Sequence, residues 1–159
     1  RLRLDFQNST FVNNTAKGPR NDERAQGGAI HIFDIVSVDM TDCTCVNNTA
    51  DRGGGVDFYQ MRVTHVENCT FDNNIATHEG GGVAIFCSDN TFKDVEVSNN
   101  QAGTHGGAIW IIGDNTLFDN RNICNWSWFR IFYFLFFFRY ILNLFIVIFF
   151  YLLSGSELF

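Results

Sequence analysis

The sequence returns four times to an Asn-Asn pair, and this repetition constrains the fold more than any other feature. An alanine follows two residues after each pair, and two adjacent glycines come farther along. Successive pairs are 34, 26 and 26 residues apart, beginning at Asn13, Asn47, Asn73 and Asn99. The paired glycines are Gly27-Gly28, Gly54-Gly55, Gly81-Gly82 and Gly106-Gly107, and only the first unit is longer, because it carries an extra polar loop at residues 15–26.

Apolar and polar residues alternate in the segment before each Asn pair. Aligning the units gives three apolar or small columns: Phe6, Met40, Val66 and Phe92; Ser9, Cys43, Cys69 and Val95; Phe11, Cys45, Phe71 and Val97. A period of two is typical of a strand with one buried face, so we expect Phe71 to be a core residue. A fourth column has the short polar side chains that favour turns: Asn8, Asp42, Asn68 and Asp94.

A period of about 26 residues with short strands and no helical pattern predicts an all-β fold, the right-handed parallel β-helix, with one coil per repeat. Four coils are expected, plus a partial fifth that begins at Asn115. Coils stack at about 4.8 Å, so equivalent residues lie above one another and the asparagines can form a hydrogen-bonded ladder. The glycines are expected at corners, and the segments after them, which include Trp110, are expected to be core strands.

These repeats resemble those of chlamydial polymorphic outer membrane proteins, which combine Phe-x-x-Asn with Gly-Gly-Ala-Ile. Residues 11–14 and 71–74 match the first element, and residues 27–30 and 106–109 match the second. Units two and four depart from it, with Cys45 and Val97 in the Phe position. The repeats are also similar to those of pectin-lyase-like β-helix proteins. The chlamydial resemblance implies a surface-exposed adhesin passenger.

The composition changes sharply near residue 124. Residues 125–159 hold 10 of the 18 phenylalanines, and residues 129–153 form an apolar run long enough to be a transmembrane helix. Arg121, Arg130 and Arg139 lie toward its N-terminal side, which would place the repeats in the cytoplasm, the reverse of a surface adhesin. Translated non-coding sequence is the competing interpretation of this tail. Since no signal peptide or initiator Met precedes Arg1, we expect the chain to be a fragment.

Charge and cysteine spacing exclude several classes of function. Residues 1–124 hold 9 Lys and Arg against 16 Asp and Glu, and this net charge of −7 argues against a nucleic-acid partner. The five cysteines lack zinc spacing. Cys43 and Cys69 share a column and could form a disulfide, although buried reduced thiols are the favoured interpretation. Glycosylation sequons, which suit a secreted protein, occur at Asn8, Asn13, Asn47, Asn68 and Asn125.

The best candidates for catalysis are four carboxylates near the predicted turns, namely Asp42, Glu67, Asp94 and Glu96. Asp42 and Asp94 would be two coils apart, at the upper limit for an inverting glycosidase pair. No accompanying Arg or His set is evident, so a solvated polar row is the preferred interpretation. The four histidines fall in different columns and predict no shared metal site: His31, His65, His78 and His105. The Gly-Gly-Gly runs lack the Lys-Ser/Thr of a phosphate loop.

We therefore expect a non-enzymatic cell-surface or secreted repeat module for adhesion or structural scaffolding, with no catalytic, cofactor-binding or metal-binding residue. Its outward Thr, Asn and Asp columns would contact a host or matrix protein or a glycan, and residues 129–153 would anchor it to a membrane. The alternative is a fragment of a carbohydrate-active, lyase- or hydrolase-like β-helix protein whose catalytic coils lie elsewhere.

Overall fold

The computed structural model describes residues 2–18 and 24–119. These residues form fourteen strands and no helix. In chain order the strands are β1 Arg3–Gln7, β2 Thr10–Val12, β3 Ile30–Phe33, β4 Ser37–Thr41, β5 Thr44–Val46, β6 Thr49–Arg52, β7 Val56–Glu67, β8 Thr70–Asp72, β9 Ile75–Glu79, β10 Val83–Lys93, β11 Glu96–Ser98, β12 Gln101–Ala102, β13 Ile109–Ile112 and β14 Thr116–Asp119.

The strands form three parallel sheets, one along each side of a solenoid. The long sheet has seven strands in the order β1-β4-β7-β10-β13, with β3 on β7 and β14 on β10. The second sheet has the order β11-β8-β5-β2, and the third has the order β12-β9-β6. Each strand pairs with the equivalent strand of the neighbouring repeat, so the prediction of a parallel solenoid is confirmed.

The described residues form about three turns, fewer than the four coils and a partial fifth expected from the sequence. The difference arises at the two ends. Among the described residues, the first repeat joins the third sheet through isolated bridges, Thr15 to Thr49 and Gln26 to Arg52, rather than through a continuous strand. At the other end, the fifth repeat contributes only β14 among the described residues.

The apolar columns predicted from the sequence lie in register inside the solenoid. Met40, Val66 and Phe92 pair in successive coils, and none of the three side chains is exposed to solvent. Cys45 and Phe71 pair in the second sheet and are also fully buried. The prediction that Phe71 is a core residue is therefore confirmed. Its burial reflects the two-residue period, which turns alternate side chains of every coil inward.

The two asparagines of each pair have different structural roles. The first adopts the left-handed turn conformation, with φ of 53° at Asn73, which asparagine tolerates better than most residues. The second is buried in the second, third and fourth repeats and forms a ladder. The Asn74 Nδ2 atom donates to Asn100 Oδ1 at 3.0 Å and to the Cys45 carbonyl oxygen at 2.9 Å. Asn74 Oδ1 accepts from the Asn48 backbone N–H and side chain at 2.9 and 3.0 Å.

The ladder also explains why glycines recur with the asparagines. A Cβ atom on Gly82 would lie 3.1 Å from the amide group of Asn100 and 2.7 Å from the Ala108 carbonyl oxygen, so a side chain there would collide with the stack. The glycines with positive φ are Gly27, Gly53, Gly80 and Gly106. The sequence alignment was therefore wrong by one residue in the second and third repeats, because in the two Gly-Gly-Gly runs it paired Gly54 and Gly81, rather than Gly53 and Gly80, with Gly27.

The apolar segment 129–153, the candidate transmembrane helix, lies outside the described residues. Within residues 2–18 and 24–119, no helix is long and apolar enough to cross a membrane.

We expect Asn74→Ala to lower the free energy of unfolding by about 3 kcal/mol, because it removes hydrogen bonds from buried donors and acceptors on both neighbouring coils. Chemical denaturation monitored by circular dichroism measures the loss. Asn73→Gly is the matched control, since glycine tolerates the positive φ at this exposed position and should cost much less. Equal losses of unfolding free energy in the two variants would show that the buried asparagine ladder does not stabilise the fold.

Candidate binding surface on the solenoid

The candidate catalytic carboxylates lie on the solenoid surface but do not converge. Asp42 and Asp94 are exposed turn residues with φ of 54° and 49°. Asn68 occupies the equivalent turn of the coil between them, and its amide donates to Asp42. Glu96 is exposed at the start of β11. The polar turn column was predicted correctly, and each of its four members has positive φ: Asn8, Asp42, Asn68 and Asp94.

Glu67 participates in an ion-pair network on the outer face of β7. Lys93, on the next coil, forms a charged hydrogen bond with one carboxylate oxygen, and His65 Nε2 lies 3.3 Å from the other. The hydrogen bond from Lys93, together with that from His65, lowers the pKa of the Glu67 carboxyl below its usual value. Glu67 is thus held as an anion rather than poised as a general acid.

The four histidine side chains have different contacts. His65 contacts Glu67, whereas His78 and His105 each lie beside a threonine hydroxyl. The register places His105 opposite Glu79 rather than opposite His78. Within the part of the chain that the structure describes, no group of three His, Cys, Asp or Glu side chains could hold a metal ion.

His31 belongs to a buried charge cluster that sequence reasoning missed. Asp57 is fully buried, and its Oδ2 lies 2.7 Å from His31 Nδ1. Arg52 Nε donates to Asp57 Oδ1 at 2.8 Å, and a second guanidinium nitrogen donates to Oδ2 at 3.1 Å. A buried carboxylate requires such pairing, and the bidentate arginine supplies it. His31 is partly exposed at the edge of this cluster.

An outward aromatic row runs along the long sheet beside this cluster. Each of four successive coils contributes one ring, from Phe33, Tyr59, Phe86 and Trp110. Neighbouring ring centroids are 5.7, 4.8 and 4.7 Å apart. The Arg52 guanidinium lies 4.8 Å from the centroids of both Tyr59 and Phe86, which links the row to the buried cluster.

Trp110 was predicted to be a core residue, and this prediction is wrong. The inward positions of β13 are Ile109 and Ile111, and strand alternation turns Trp110 outward, where it packs edge-on against Phe86. The signal was present in the sequence, since the third and fifth residues after Gly28 in the first repeat are His31 and Phe33. Aligning the repeats on the positive-φ glycines would have placed these outward positions in common columns.

A shallow pocket of about 390 Å³ adjoins one end of the aromatic row. Phe86 and Ile112 contribute apolar walls, and Gln60, Ser88 and Asp114 contribute polar groups. The pocket forms where the register between β7 and β10 shifts after Phe86, since Gln60 is an extra residue with φ of 56°. The row and the pocket share Phe86, so they form one continuous surface.

The thiols of the second and third repeats, Cys43, Cys45 and Cys69, are buried. Cys43 and Cys69 are each about 1% exposed, and both are free thiols that donate to backbone carbonyl oxygens. Burial, reinforced by the neighbouring thiols, raises the pKa of Cys45 to about 12. Burial likewise raises the pKa of Cys69 to about 12. The thiolate, which is the reactive form, is therefore scarce at neutral pH.

Comparison with known proteins identifies the repeat. A family model described as the Chlamydia polymorphic membrane protein repeat matches residues 8–32, 68–88 and 94–112. These segments include the Asn-pair corners and glycine corners of the first, third and fourth units. The resemblance recognised in the sequence is thus confirmed for the repeats, and the parallel solenoid accompanies it. No curated protein and no solved structure matches the chain.

We expect alkylation of Cys45 and Cys69 in the native protein at pH 8 to be at least a thousand-fold slower than in urea. Raising a thiol pKa to about 12 alone lowers the thiolate fraction by about that factor, and burial adds to it. Iodoacetamide labelling followed by peptide mass spectrometry measures both rates. Comparable rates in the two conditions would contradict burial, and protection that persists in urea until a reductant is added would reveal a disulfide.

Proposed function

We propose that the solenoid is a non-enzymatic surface module that serves adhesion or structural scaffolding. The observation that supports this most strongly is the repetition itself. In each coil the inward side chains form the core and the Asn ladder, and the outward side chains are of the same kinds as those of the neighbouring coils. Repeat stacks of this kind create extended surfaces suited to binding large partners.

The matching repeat family supports a location at the cell surface or outer membrane, because its model is described as a membrane protein repeat. The apolar run at residues 129–153 would supply a membrane anchor for the repeats. In this arrangement the acidic solenoid faces away from the bilayer, and its outward columns are available to a protein or glycan on another surface. We do not propose a nucleic acid as the partner, since the chain carries a net charge of −6 and would repel phosphate groups.

The described carboxylates favour this proposal over the carbohydrate-active alternative. A glycosidase requires two carboxyl groups facing one substrate bond, with one of them held protonated. Glu67 is instead paired with Lys93 and Asp57 with Arg52, while Asn68 separates the turns of Asp42 and Asp94. These contacts are the ones expected of side chains that stabilise a stack.

Beads coated with the protein should adhere to cultured epithelial cells or to extracellular matrix, whereas beads coated with the Asn74→Ala variant should lose adhesion in proportion to its unfolding. Asn73→Gly, which keeps the ladder, is the control. Depolymerisation of pectin, polygalacturonate or alginate that Asp42→Asn or Asp94→Asn abolishes would contradict the proposal and support the enzyme. Failure of the folded protein either to adhere or to assemble on a surface would contradict the proposed adhesion or scaffolding function.

A further inference from the structure

A ligand bound at the aromatic row would contact side chains rather than the backbone of the sheet. Strands β7 and β10 are paired on both sides in this part of the long sheet, so their backbone N–H and carbonyl groups are engaged there. A ligand on this face must therefore contact the rings and the polar groups beside them. Phe33 is 53% exposed at one end of the row, and Ile112 is 39% exposed beside the pocket at the other.

We propose that this row is a binding site for an uncharged, extended oligosaccharide that lies parallel to the solenoid axis, an inference that rests on the proposed surface function and names its ligand class. Each coil contributes one ring: Phe33, Tyr59 and Phe86 share one register position. Trp110 lies in the neighbouring outward column, two residues before Ile112, which is the partner of Phe86 in β13. Sugar rings present apolar C–H faces that stack on aromatic rings, and their linear polymers are narrow and extended. The row thus runs in the direction that such a ligand would follow, from one coil to the next.

Polar groups beside the row supply the hydrogen bonds that sugar hydroxyl groups need. Gln60, Ser88 and Asp114 line the pocket that shares Phe86 with the row. At the other side, His31 uses Nδ1 to contact Asp57, and Nε2 has no hydrogen bond to any part of the chain that the structure describes. Apolar walls with a few polar groups are characteristic of small-molecule sites.

The charge of this face favours an uncharged glycan over a polyanion. Asp57 and Arg52 neutralise one another, so the row itself carries no net positive charge. The surrounding chain has a net charge of −6 and would repel uronate or sulfate groups. A second copy of the chain would have to place the same acidic surface against itself, which the same repulsion disfavours.

Isothermal titration of the full-length chain tests this site directly. Because residues 129–153 are strongly apolar, the protein is kept in a detergent without a sugar headgroup. The probes are cellobiose, cellohexaose, chitohexaose and polygalacturonate. We expect at least one neutral hexasaccharide to bind, cellobiose to bind more weakly because it covers fewer rings, and polygalacturonate not to compete.

Substitutions at Phe33 distinguish aromatic stacking from general hydrophobic contact. Phe33→Leu keeps an apolar side chain but should weaken hexasaccharide binding about three- to ten-fold, the size of one aromatic contact, whereas Phe33→Tyr should retain it. Leu117→Ala is the control, since Leu117 is 59% exposed and lies outside the row. The exposure of Phe33 means that these variants should fold normally.

Absence of binding by both hexasaccharides, equal weakening by Leu117→Ala, or stronger binding of polygalacturonate would overturn the proposal. So would concentration-dependent self-association that Phe33→Leu abolishes while no saccharide binds. Persistent adhesion without saccharide binding would refute the glycan site and leave the surface function standing. Saccharide binding that depends on Phe33, in a protein that neither adheres nor assembles, would support the site and refute the surface function.

Discussion

The structure depends on a buried amide that is satisfied by its counterparts on the neighbouring coils and by a backbone carbonyl oxygen. Asn48, Asn74 and Asn100 are each 4% exposed or less, and a buried amide without partners destabilises the folded state by several kcal/mol. Asn74 avoids this because its oxygen accepts from one neighbouring coil while its nitrogen donates to both. The repeat length must therefore be kept constant at the ladder, and it is 26 residues between these three positions.

Constant spacing at the ladder leaves room for variation elsewhere in the coil. The third coil has an extra residue after Ala76, and the second coil has an extra residue at Gln60, so the register shifts and then recovers. The second irregularity opens the pocket beside Phe86. The packing inside the solenoid is thus repeated from coil to coil, whereas the outward side chains vary. The aromatic row forms where four outward positions carry rings.

The sequence predicted the interior of the solenoid better than its surface. The columns that contain Phe71 and Phe92 were identified correctly, because burial imposes both apolarity and a two-residue period. Trp110 was misplaced, because a large apolar residue in a strand after a glycine corner was taken for a core residue. Only alignment on the positive-φ glycines assigns Trp110 to an outward column. The contact of Arg52 with Asp57 also escaped prediction, since it joins outward side chains through a corner and leaves no periodic signal.

Hydrogen exchange of the asparagine side-chain amides, followed by NMR, tests the ladder most directly. If the ladder holds the coils together, the Nδ2 protons of Asn74 and Asn100 exchange only through global unfolding, because each amide is buried and hydrogen-bonded. The exposed Asn73 amide, one residue away, should exchange much faster. Exchange of Asn74 and Asn100 at the rate of Asn73 would contradict the account, since it would show that the buried amides do not hold the coils together.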